Sequence, residues 1–463
     1  MRSHLPALFV FVCALAAAQA EPGLAGFASV HEAVAAAKGA PVFLPAGEWR
    51  VSEPVVFRGA GGGLHGPGTL IQENPDAPIL RIDGAENVRI EGITLCRPPD
   101  TDAAAPGILV ENARDIVIRG VTVRGNRARE GAVEVRDSVG CRIEDCEILD
   151  YKRVAVDDRT GPSEIHYGYA FKCIDGTGII ARGVEDLSIV NNRVVERRLM
   201  PTREMKEQHG LGNLTEGKHP TKPGDLAQGV VERGHVNNWH QGSAILVTDP
   251  EKSRFIRVTG NYIENAAQGI DLHCDHAVVT GNTVNRGMMG IKMTHGCRNL
   301  IVSDNLLSRI DLWGILMNPG AASHAAEPAA EGREARPANV DGGTVIANNI
   351  ITDYGYGNEY WNWGGATDDQ GGSYALAFYE GQLPENPPLR DVIVTGNMVY
   401  DTGRDGVPED GKIATPAPRY QWAVYIGAWG KKDKCPTCPQ GLRFSNNLFH
   451  PGTQGVSNIP LEP

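Results

Sequence analysis

The feature that most constrains the fold is a short segment that repeats along the chain. VTGNYI at 258–263 recurs as VTGNTV at 279–284 and as VSDNLL at 302–307, at steps of 21 and 23 residues. A second segment alternates with it, as GIDLH at 269–273, GIKMT at 290–294 and GILMN at 314–318. Repeats of this length are typical of a β-solenoid, because one coil of short strands cannot bury its apolar face without a neighbour. The sequence therefore predicts an all-β fold of stacked coils.

An asparagine occupies the same position of the first repeated segment in seven coils. Stacked amides at a coil corner can hydrogen-bond one another and the backbone groups beside them. We therefore expect a structural ladder, and no catalytic role, for Asn192, Asn261, Asn282, Asn305, Asn349, Asn397 and Asn447.

The chain begins with the pattern of a secretory signal peptide at 1–20, with a basic start, an apolar run at 5–18 and a small-x-small cleavage site. We expect a soluble protein that is secreted or periplasmic, and no later segment predicts a membrane span. Residues 21–463 are expected to form a single β-helix domain. It would have an N-terminal cap at 21–58, coils at 59–450 and a C-terminal tail at 451–463.

Charge and cysteine content limit the partners. The formal net charge of −12 argues against a nucleic-acid partner. Separately, we expect the protein to be a monomer. Cys435 and Cys438 form a CPTC segment in a predicted loop, where a local disulfide is favoured over half of a zinc site. The other cysteines of the mature chain fall in or beside predicted strands and are expected to be buried thiols.

A predicted helix at 30–37 is followed by VFLPAGEWRV at 42–51. The helix suits the end of a solenoid, where it covers unpaired strand edges. This order resembles the N-terminal segment of pectate-lyase-like, right-handed parallel β-helix proteins. The resemblance implies a right-handed parallel β-helix with a capping helix.

Side chains alternate across a strand, so the second repeated segment predicts two outward rows. One row contains Leu109, Glu134, Ala170, Ile245, Asp271, Lys292 and Leu316, and the other contains Glu111, Arg136, Lys172, Val247, His273, Thr294 and Asn318. Long insertions precede this strand at 151–167, 196–241, 353–372 and 401–421, and others follow it at 319–343, 380–391 and 428–440. Loops on both sides would make this sheet the floor of a groove.

Cationic side chains on the floor of an acidic protein indicate an anionic ligand, and the primary hypothesis is a lyase that cleaves a uronate-containing polysaccharide by β-elimination. That reaction needs a neutralised carboxylate, a base for the C5 proton and an acid for the leaving oxygen. Arg136 or Lys292 would neutralise the carboxylate. The candidate bases are Lys172, His240 and His273, and the candidate acid is Tyr169 or Tyr167.

Other side chains are expected to bind the substrate. Aromatic rings stack against the apolar faces of sugars, which suggests Trp239, Trp313 and the aromatic stretch at 354–365. His209 and His240 lie in the polar insertion at 196–241, and Asp271 and Glu134 lie on the floor. No cofactor is certain, but Ca²⁺ held by Asp271, Asp275 or Glu134 could replace a cation as neutraliser.

The pair of coils with His273 and Thr294-His295-Gly296 resembles the catalytic coils of β-helix alginate and chondroitin lyases. Those enzymes have a lysine and an arginine where this chain has His273 and Thr294. Three alternatives stay open: a glycoside hydrolase with a carboxylate pair from Glu134, Asp271 and Asp249, a uronate C5 epimerase, and a glycan-binding solenoid without catalysis.

Overall fold

The computed structural model describes residues 24, 26–159, 168–227, 234–236, 239–354, 373–401, 418, 420–427 and 438–463. In these residues the chain forms a parallel β-helix, which confirms the predicted all-β solenoid. Each coil contributes a strand to sheet 3, turns into sheet 1, and then passes into sheet 2 before the next coil begins. The predicted signal peptide at 1–20 lies outside the described residues.

Within the described residues, sheet 1 consists of twelve parallel strands in chain order. Their bounds are Pro41–Phe43, Gly63–His65, Arg89–Glu91, Val117–Arg119, Arg142–Glu144, Glu185–Val190, Arg254–Thr259, Asp275–Thr280, Arg298–Ser303, Gly342–Ala347, Arg390–Thr395 and Gln440–Ser445.

Sheets 2 and 3 share three long strands that bend from one sheet into the other: Tyr262–Leu272, Thr283–Thr294 and Leu306–Asn318. The remaining strands of sheet 2 are Glu48–Val51, Thr69–Gln72, Thr94–Cys96, Thr122–Arg124, Glu147–Leu149, Arg193–Val195, Ile350–Thr352, Met398–Tyr400 and Leu448–Phe449. The remaining strands of sheet 3 are Val55–Ala60, Leu80–Glu86, Ile108–Glu111, Val133–Arg136, Ile179–Arg182, Ser243–Thr248, Tyr374–Tyr379, Trp422–Gly427 and Gly455–Ser457.

The seven asparagines form the predicted ladder at the corner between sheets 1 and 2. Each Nδ2 donates to the Oδ1 of the next asparagine, from Asn192 to Asn261 (3.0 Å) through to Asn397 and Asn447 (3.0 Å). The residue before each ladder position needs a left-handed backbone, with φ of 55° at Asn191 and 68° at Gly260. Glycine, asparagine and aspartate tolerate this conformation best, which explains why the repeat is written GN, DN or NN.

The interior is filled by aligned apolar side chains from all three sheets. On sheet 3, Ile245, Ile270, Ile291 and Ile315 occupy successive coils and are at most 1% exposed. Burial of such a row removes apolar surface from water in every coil, and no coil achieves it alone.

In the described part of the chain, two helices and two small ladders lie outside the three sheets. The helix Val30–Ala37 starts at Ser29, whose side chain accepts from Glu32 N, and it packs over the N-terminal coil, as predicted. The helix Arg203–His209 lies in the insertion that precedes Ser243–Thr248. Arg153–Asp157 and Phe171–Asp175 form an antiparallel ribbon, and Asp102–Ala103 pairs in parallel with Arg127–Ala128.

The coils extend beyond the predicted boundaries. Strands within 41–58 already belong to the three sheets, so the cap is shorter than 21–58. Gly455–Ser457 pairs with Trp422–Gly427, so part of the predicted tail at 451–463 continues sheet 3. In the part of the chain that the structure describes, no helix has the length and apolar character to cross a membrane.

Candidate active site

The outward face of sheet 3 carries the two predicted rows, with two corrections. Strand register aligns Glu134 with Ile180, Leu246 with Asp271, Asp271 with Lys292, and Lys292 with Leu316. In the second row Arg136 aligns with Arg182. The following coils contribute, in order, Thr248, His273, Thr294 and Asn318. Ile180 and Arg182 therefore stand where Ala170 and Lys172 were predicted. Leu246 and Thr248 stand where Ile245 and Val247 were predicted, because Ile245 and Val247 point into the core.

Asp271 lies between a histidine and a lysine on this face. Its Oδ1 lies 3.0 Å from His273 Nε2, and its Oδ2 accepts a hydrogen bond of 3.2 Å from Lys292 Nζ. The Asp271 side chain is only 6% exposed, whereas His273 and Lys292 are 13% and 16% exposed. The other nitrogen of His273, Nδ1, lies 3.0 Å from Thr248 Oγ1. The result is a line of contacts across three coils, from Thr248 through His273 and Asp271 to Lys292.

Asp271 is held in its ionised form. Burial alone would raise the pKa of its carboxyl, but the positive charge of Lys292 and the contact with His273 outweigh burial. The pKa of Asp271 therefore lies well below its ordinary value. An ionised Asp271 favours a proton on His273 Nε2, which leaves Nδ1 as the nitrogen that can accept one.

A second histidine packs beside His273. The ring of His295 stands perpendicular to that of His273, with 4.7 Å between their centroids. Ala321 N donates to His295 Nδ1 at 2.9 Å. Burial, together with the nearby His273 and Lys292, lowers the pKa of His295 to about 3. His295 is therefore neutral near pH 7 and carries its proton on Nε2, which makes that atom a hydrogen-bond donor.

The next positions of the second row are Thr294, which is buried, and Asn318, which contacts the insertion after Tyr374–Tyr379. Thr294 is fully buried, and its Oγ1 has no hydrogen-bond partner among the described residues. Gln382 Nε2 donates to Asn318 Oδ1 at 2.7 Å, and Asn318 Nδ2 donates to Glu380 O at 2.5 Å. The insertion that follows Tyr374–Tyr379 is thereby tied to the sheet.

Glu134 and Arg136 belong to a separate group. Arg136 Nε donates to Glu134 Oε1 at 2.7 Å, and Arg182 approaches the same carboxylate at 3.7 Å while it pairs with Glu130 at 2.6 Å. Three strand steps separate Glu134 from Asp271, which is ~14 Å at the spacing of a parallel sheet. The predicted site is therefore divided into two clusters.

The prediction that Tyr169 and Lys172 lie on the groove floor is wrong. Lys172 belongs to Phe171–Asp175, which pairs with Arg153–Asp157 in the antiparallel ribbon, and its side chain is exposed. Tyr169 lies just before this strand, with its ring centroid 6.0 Å from that of Phe171, and Tyr167 lies outside the described residues. The floor strand of this coil is Ile179–Arg182 instead.

The insertion that precedes Ser243–Thr248 contains His240, Trp239 and His209, which were predicted to act on the substrate. His240 is 1% exposed and forms a β-bridge with Ile174, and burial followed by the charge of Lys152 lowers its pKa well below the ordinary value. Trp239 is also 1% exposed and packs with Ile174 and Leu211. His209 ends the helix Arg203–His209. A buried His240 and Trp239 stabilise this insertion and present no surface to a substrate.

Trp313 is buried as well. It aligns with Met289 and Tyr374 on the outer face of sheet 3 and meets Tyr379 edge to face, with centroids 5.9 Å apart. Its exposure is 0%, so it packs in a satellite core and does not form an open stacking surface. Of the aromatic stretch at 354–365, only Tyr354 lies within the described residues, and it stacks on Tyr420 in the interior.

The three carboxylates proposed for Ca²⁺ do not converge. Asp275 lies on sheet 1 and pairs with Arg298 at 3.0 Å and His276 at 2.7 Å, while Asp271 and Glu134 face the cations described above. Within the described ranges no group of three or more His, Cys, Asp or Glu residues could hold a metal ion. Cys438 is disulfide-bonded, and Cys435 lies outside the described residues. Cys96, Cys141, Cys146, Cys173, Cys274 and Cys297 are buried free thiols, as predicted.

Sequence reasoning missed Thr248, Arg182 and Lys152. Thr248 was missed because the predicted register at 244–247 was wrong by one residue. Arg182 was missed because 169–172, and not Ile179–Arg182, was predicted to be the floor strand. Lys152 is 1% exposed, and its Nζ donates to the carbonyls of Gln241 (2.8 Å) and Gly176 (3.3 Å). Burial lowers the pKa of Lys152 to about 8. No local pattern marks a lysine whose partners are a carbonyl 24 residues away and another 89 residues away.

Comparison with known proteins identifies the architecture. No protein-family model and no curated protein matches the sequence. Among solved structures, the catalytic domain of a GH87 alpha-1,3-glucanase in complex with nigerose is 10% identical with a TM-score of 0.51. That match covers 94% of this chain but 65% of the other, so this chain spans just under two thirds of the glucanase's length.

Two further structures are similar at lower scores. The A-module of a mannuronan C-5 epimerase from Azotobacter vinelandii is 13% identical, with a TM-score of 0.44, and the match covers 93% of this chain and 91% of that one. A family 28 exopolygalacturonase from Yersinia enterocolitica is 10% identical, with a TM-score of 0.45 and coverage of 96% and 78%. At these identities the likeness concerns the fold, and this chain is a right-handed parallel β-helix.

Proposed function

We propose that this protein is a carbohydrate-active enzyme, and that it cleaves a uronate-containing polysaccharide by β-elimination. The observation that carries the proposal is the cluster of Lys292, Asp271 and His273 on the outer face of sheet 3. The cluster puts a cation and an oriented imidazole side by side on adjacent coils. Insertions at both edges of the sheet, such as 196–242 and 319–341, support a groove above it.

Lys292 suits the role of binding the substrate carboxylate. Its ammonium group uses one proton for Asp271 and has two more to donate, and its side chain is 16% exposed. A cation next to the carboxylate of a uronate stabilises the negative charge that develops when the C5 proton leaves. His295, neutral and with a donor at Nε2, can add a hydrogen bond to the same anion.

His273 suits the role of the base. The carboxylate of Asp271, 3.0 Å from Nε2, favours a proton on that nitrogen, so the lone pair of Nδ1 can take the C5 proton once the Thr248 hydroxyl turns away. The imidazolium that forms is stabilised by the ionised carboxylate of Asp271.

The same side chain can complete an elimination. The bond between C4 and the glycosidic oxygen breaks as the C4–C5 double bond forms, and the leaving oxygen needs a proton. In a syn elimination the imidazolium of His273 returns the proton that it took from C5, so the reaction is balanced with no other co-reactant.

The test is the ultraviolet absorbance of the new double bond, measured across a panel of uronate polysaccharides. We expect His273→Ala and Lys292→Met to abolish the signal. His276→Ala is a matched control, since His276 is an exposed histidine of the same coil that pairs with Asp275 at 2.7 Å, and Lys38→Met is the control for a surface lysine. No absorbance on any uronate polysaccharide, or full activity of His273→Ala, would refute a lyase at this site.

Uronate C5 epimerisation is the second candidate, because the cluster of Lys292, Asp271 and His273 serves its first step equally. It needs no acid for a leaving group, but it needs a second proton donor on the opposite face of C5. It shares the first step with elimination but returns a proton to C5. Exchange of the C5 hydrogen in heavy water, followed by NMR, without any double bond, would identify an epimerase.

A glycoside hydrolase that uses Glu134 and Asp271 is less suited to this geometry. Paired carboxylates act at separations of ~5–9.5 Å, and these two residues lie ~14 Å apart along the sheet. In addition, the lowered pKa of Asp271 is the opposite of what a general acid requires.

We also propose that the protein is secreted or periplasmic and acts as a monomer on its polysaccharide. The apolar segment at 5–18 and the cleavage pattern at 18–20 support export. N-terminal sequencing of the exported protein should begin near Glu21, and retention of the intact protein in the cytoplasm would contradict export.

A further inference from the structure

A cavity of about 530 Å³ lies on the outer face of sheet 2, apart from the cluster around Asp271. It is lined by residues of the strands Glu48–Val51, Thr69–Gln72, Thr94–Cys96 and Thr122–Arg124 and of the segments after the last two. Asp150 and Arg198, which follow the strands Glu147–Leu149 and Arg193–Val195, complete the lining. Its volume falls within the range of small-ligand pockets, ~300–1,000 Å³. Four coils separate Thr94–Cys96 from Tyr262–Leu272, which is ~19 Å along the solenoid.

Arginine dominates the lining of this cavity. Two acidic residues, Glu48 and Asp150, face five arginines: Arg50, Arg97, Arg124, Arg127 and Arg198. Asp150 already accepts from Arg197, at 3.1 Å from Nε and 2.5 Å from the terminal nitrogen. Arg50 already pairs with Glu73 at 3.0 Å, whereas Arg97 and Arg124 form no salt bridge with the described residues, so their positive charge favours an anion in the cavity.

Arg97 forms the rigid base of the cavity. It is 5% exposed, and its guanidinium donates to Asn126 Oδ1 at 2.6 Å and to the carbonyls of Asn74 and Ala77 at 2.8 and 2.9 Å. These acceptors are neutral, so they orient the guanidinium without cancelling its charge. Burial lowers the pKa of Arg97 to about 10, and it therefore stays charged at neutral pH.

Arg127 and Arg198 converge on one exposed carboxylate at the rim. Their terminal nitrogens lie 3.6 Å and 3.1 Å from Asp100 Oδ1, and Asp100 is 82% exposed. The Arg127 side chain is 12% exposed, and its Nε is buried with no hydrogen-bond partner in the described part of the chain. One solvated carboxylate shared by two guanidiniums leaves donors free, and such an exposed pair contributes little to stability.

We propose that this cavity is a second glycan-binding site, which holds the carboxylate of an acidic sugar between Arg127 and Arg198. The arginines that line the cavity indicate a negatively charged ligand, whereas the identity of that ligand as a sugar acid rests on the proposed function. The planar guanidinium groups match a carboxylate in bidentate geometry, and the ligand carboxylate takes the place of Asp100. Binding outside the groove would hold a long polysaccharide near the groove by linking two weak contacts on one chain.

Calorimetric titration with a uronate trisaccharide tests the proposal, in a His273→Ala background that prevents turnover. We expect the double variant Arg127→Gln, Arg198→Gln to lose about tenfold or more in affinity at this site. Asp100→Asn should bind about threefold more tightly, because it removes the competing carboxylate. Arg142→Gln, an exposed arginine of sheet 1, is the matched control and should change nothing.

The opposite directions of these variants separate loss of binding from loss of folding. Equal affinity in all variants, or equal affinity for a neutral trisaccharide or for acetate, would overturn the proposal. In the His273-intact enzyme, Arg127→Gln should leave turnover of a short uronate substrate unchanged and raise the KM for long chains. If no catalysis is found but binding still depends on Arg127 and Arg198, the proposed lyase fails while the binding site stands.

Discussion

His273 Nε2 lies 3.0 Å from Asp271 Oδ1, and the two residues are two positions apart on one strand of the same coil. The contact exists because residues i and i+2 of a strand point to the same face. Lys292 then reaches the other oxygen of Asp271 from the next coil. One carboxylate thus lies against both an imidazole nitrogen and an ammonium group.

The dependence of stability on pH should reveal this arrangement. The pKa of Asp271 is lower in the folded protein than its unfolded value of ~3.9, so its ionised form stabilises the fold above that pH. We expect Asp271→Asn to lower the free energy of unfolding by about 2 kcal/mol near pH 6. The difference between the two proteins should shrink as the pH falls below about 4. Denaturant unfolding at several pH values measures it, and a difference that does not vary with pH would contradict the ionised pair.

Thr248 should affect catalysis through His273. Thr248→Val keeps the shape of the side chain but removes the hydroxyl that lies 3.0 Å from His273 Nδ1. We expect a loss of stability of about 1 kcal/mol and a change in kcat, because the base loses its hydrogen-bond partner. Thr248→Ser should restore the wild-type kcat. A kcat that is the same in all three proteins would show that Thr248 only fills space.

The sequence predicted most of the repeat and part of the site. The Asn ladder and the position of Asp271, Lys292 and His273 follow from a pattern that recurs in neighbouring coils, so an error in one coil is corrected by the next. The coils for which the prediction was wrong lack a clear copy of this pattern. Residues 244–247 are four apolar residues in a row, which show no alternation, so the outward position of Leu246 could not be distinguished from that of Ile245.

Lys172 was misplaced for a different reason. The segment at 169–172 does alternate, and Phe171–Asp175 is a strand, but its partner is Arg153–Asp157 in an antiparallel ribbon. Periodicity reports a half-buried strand and does not report which strand it pairs with. The burial of Trp239, His240 and Trp313 was also out of reach, since their neighbours come from segments far away in sequence.

The stability lost when a ladder asparagine is replaced by alanine should depend strongly on the position of that asparagine in the ladder. The Asn282 amide accepts from the backbone and side chain of Asn261 and donates to Asn305 Oδ1 and Val258 O. Asn282→Ala would leave buried partners unsatisfied, and we expect a loss of about 3 kcal/mol or more. Asn447 ends the ladder and is half-buried, so water can replace its amide, and Asn447→Ala should cost about 1 kcal/mol. Denaturant unfolding of both variants measures this, and equal losses would contradict a cooperative ladder.

The buried Lys152 should make the stability of the protein depend on pH in a second range, in alkali. Here the folded pKa is lowered for a basic group, whereas Asp271 is an acidic group whose contribution is lost in acid. The folded pKa of Lys152, about 8, lies below the ordinary value of 10.5, because burial disfavours the charged form. Between these two pH values the unfolded chain binds more protons at this site than the folded chain, so the wild-type protein gains stability as the pH rises.

Lys152→Met lacks this titration, and the comparison cancels the other groups that ionise in alkali. We expect the free energy of unfolding of the wild type to rise relative to that of Lys152→Met between pH 8 and 10.5, with no relative change between pH 6 and 7.5. Lys252→Met, at an exposed lysine, is the control and should run parallel to the wild type. A constant offset between wild type and Lys152→Met across the alkaline range would mean that the ammonium group of Lys152 is solvated, and that the insertions at 150–178 and 196–242 do not close over it.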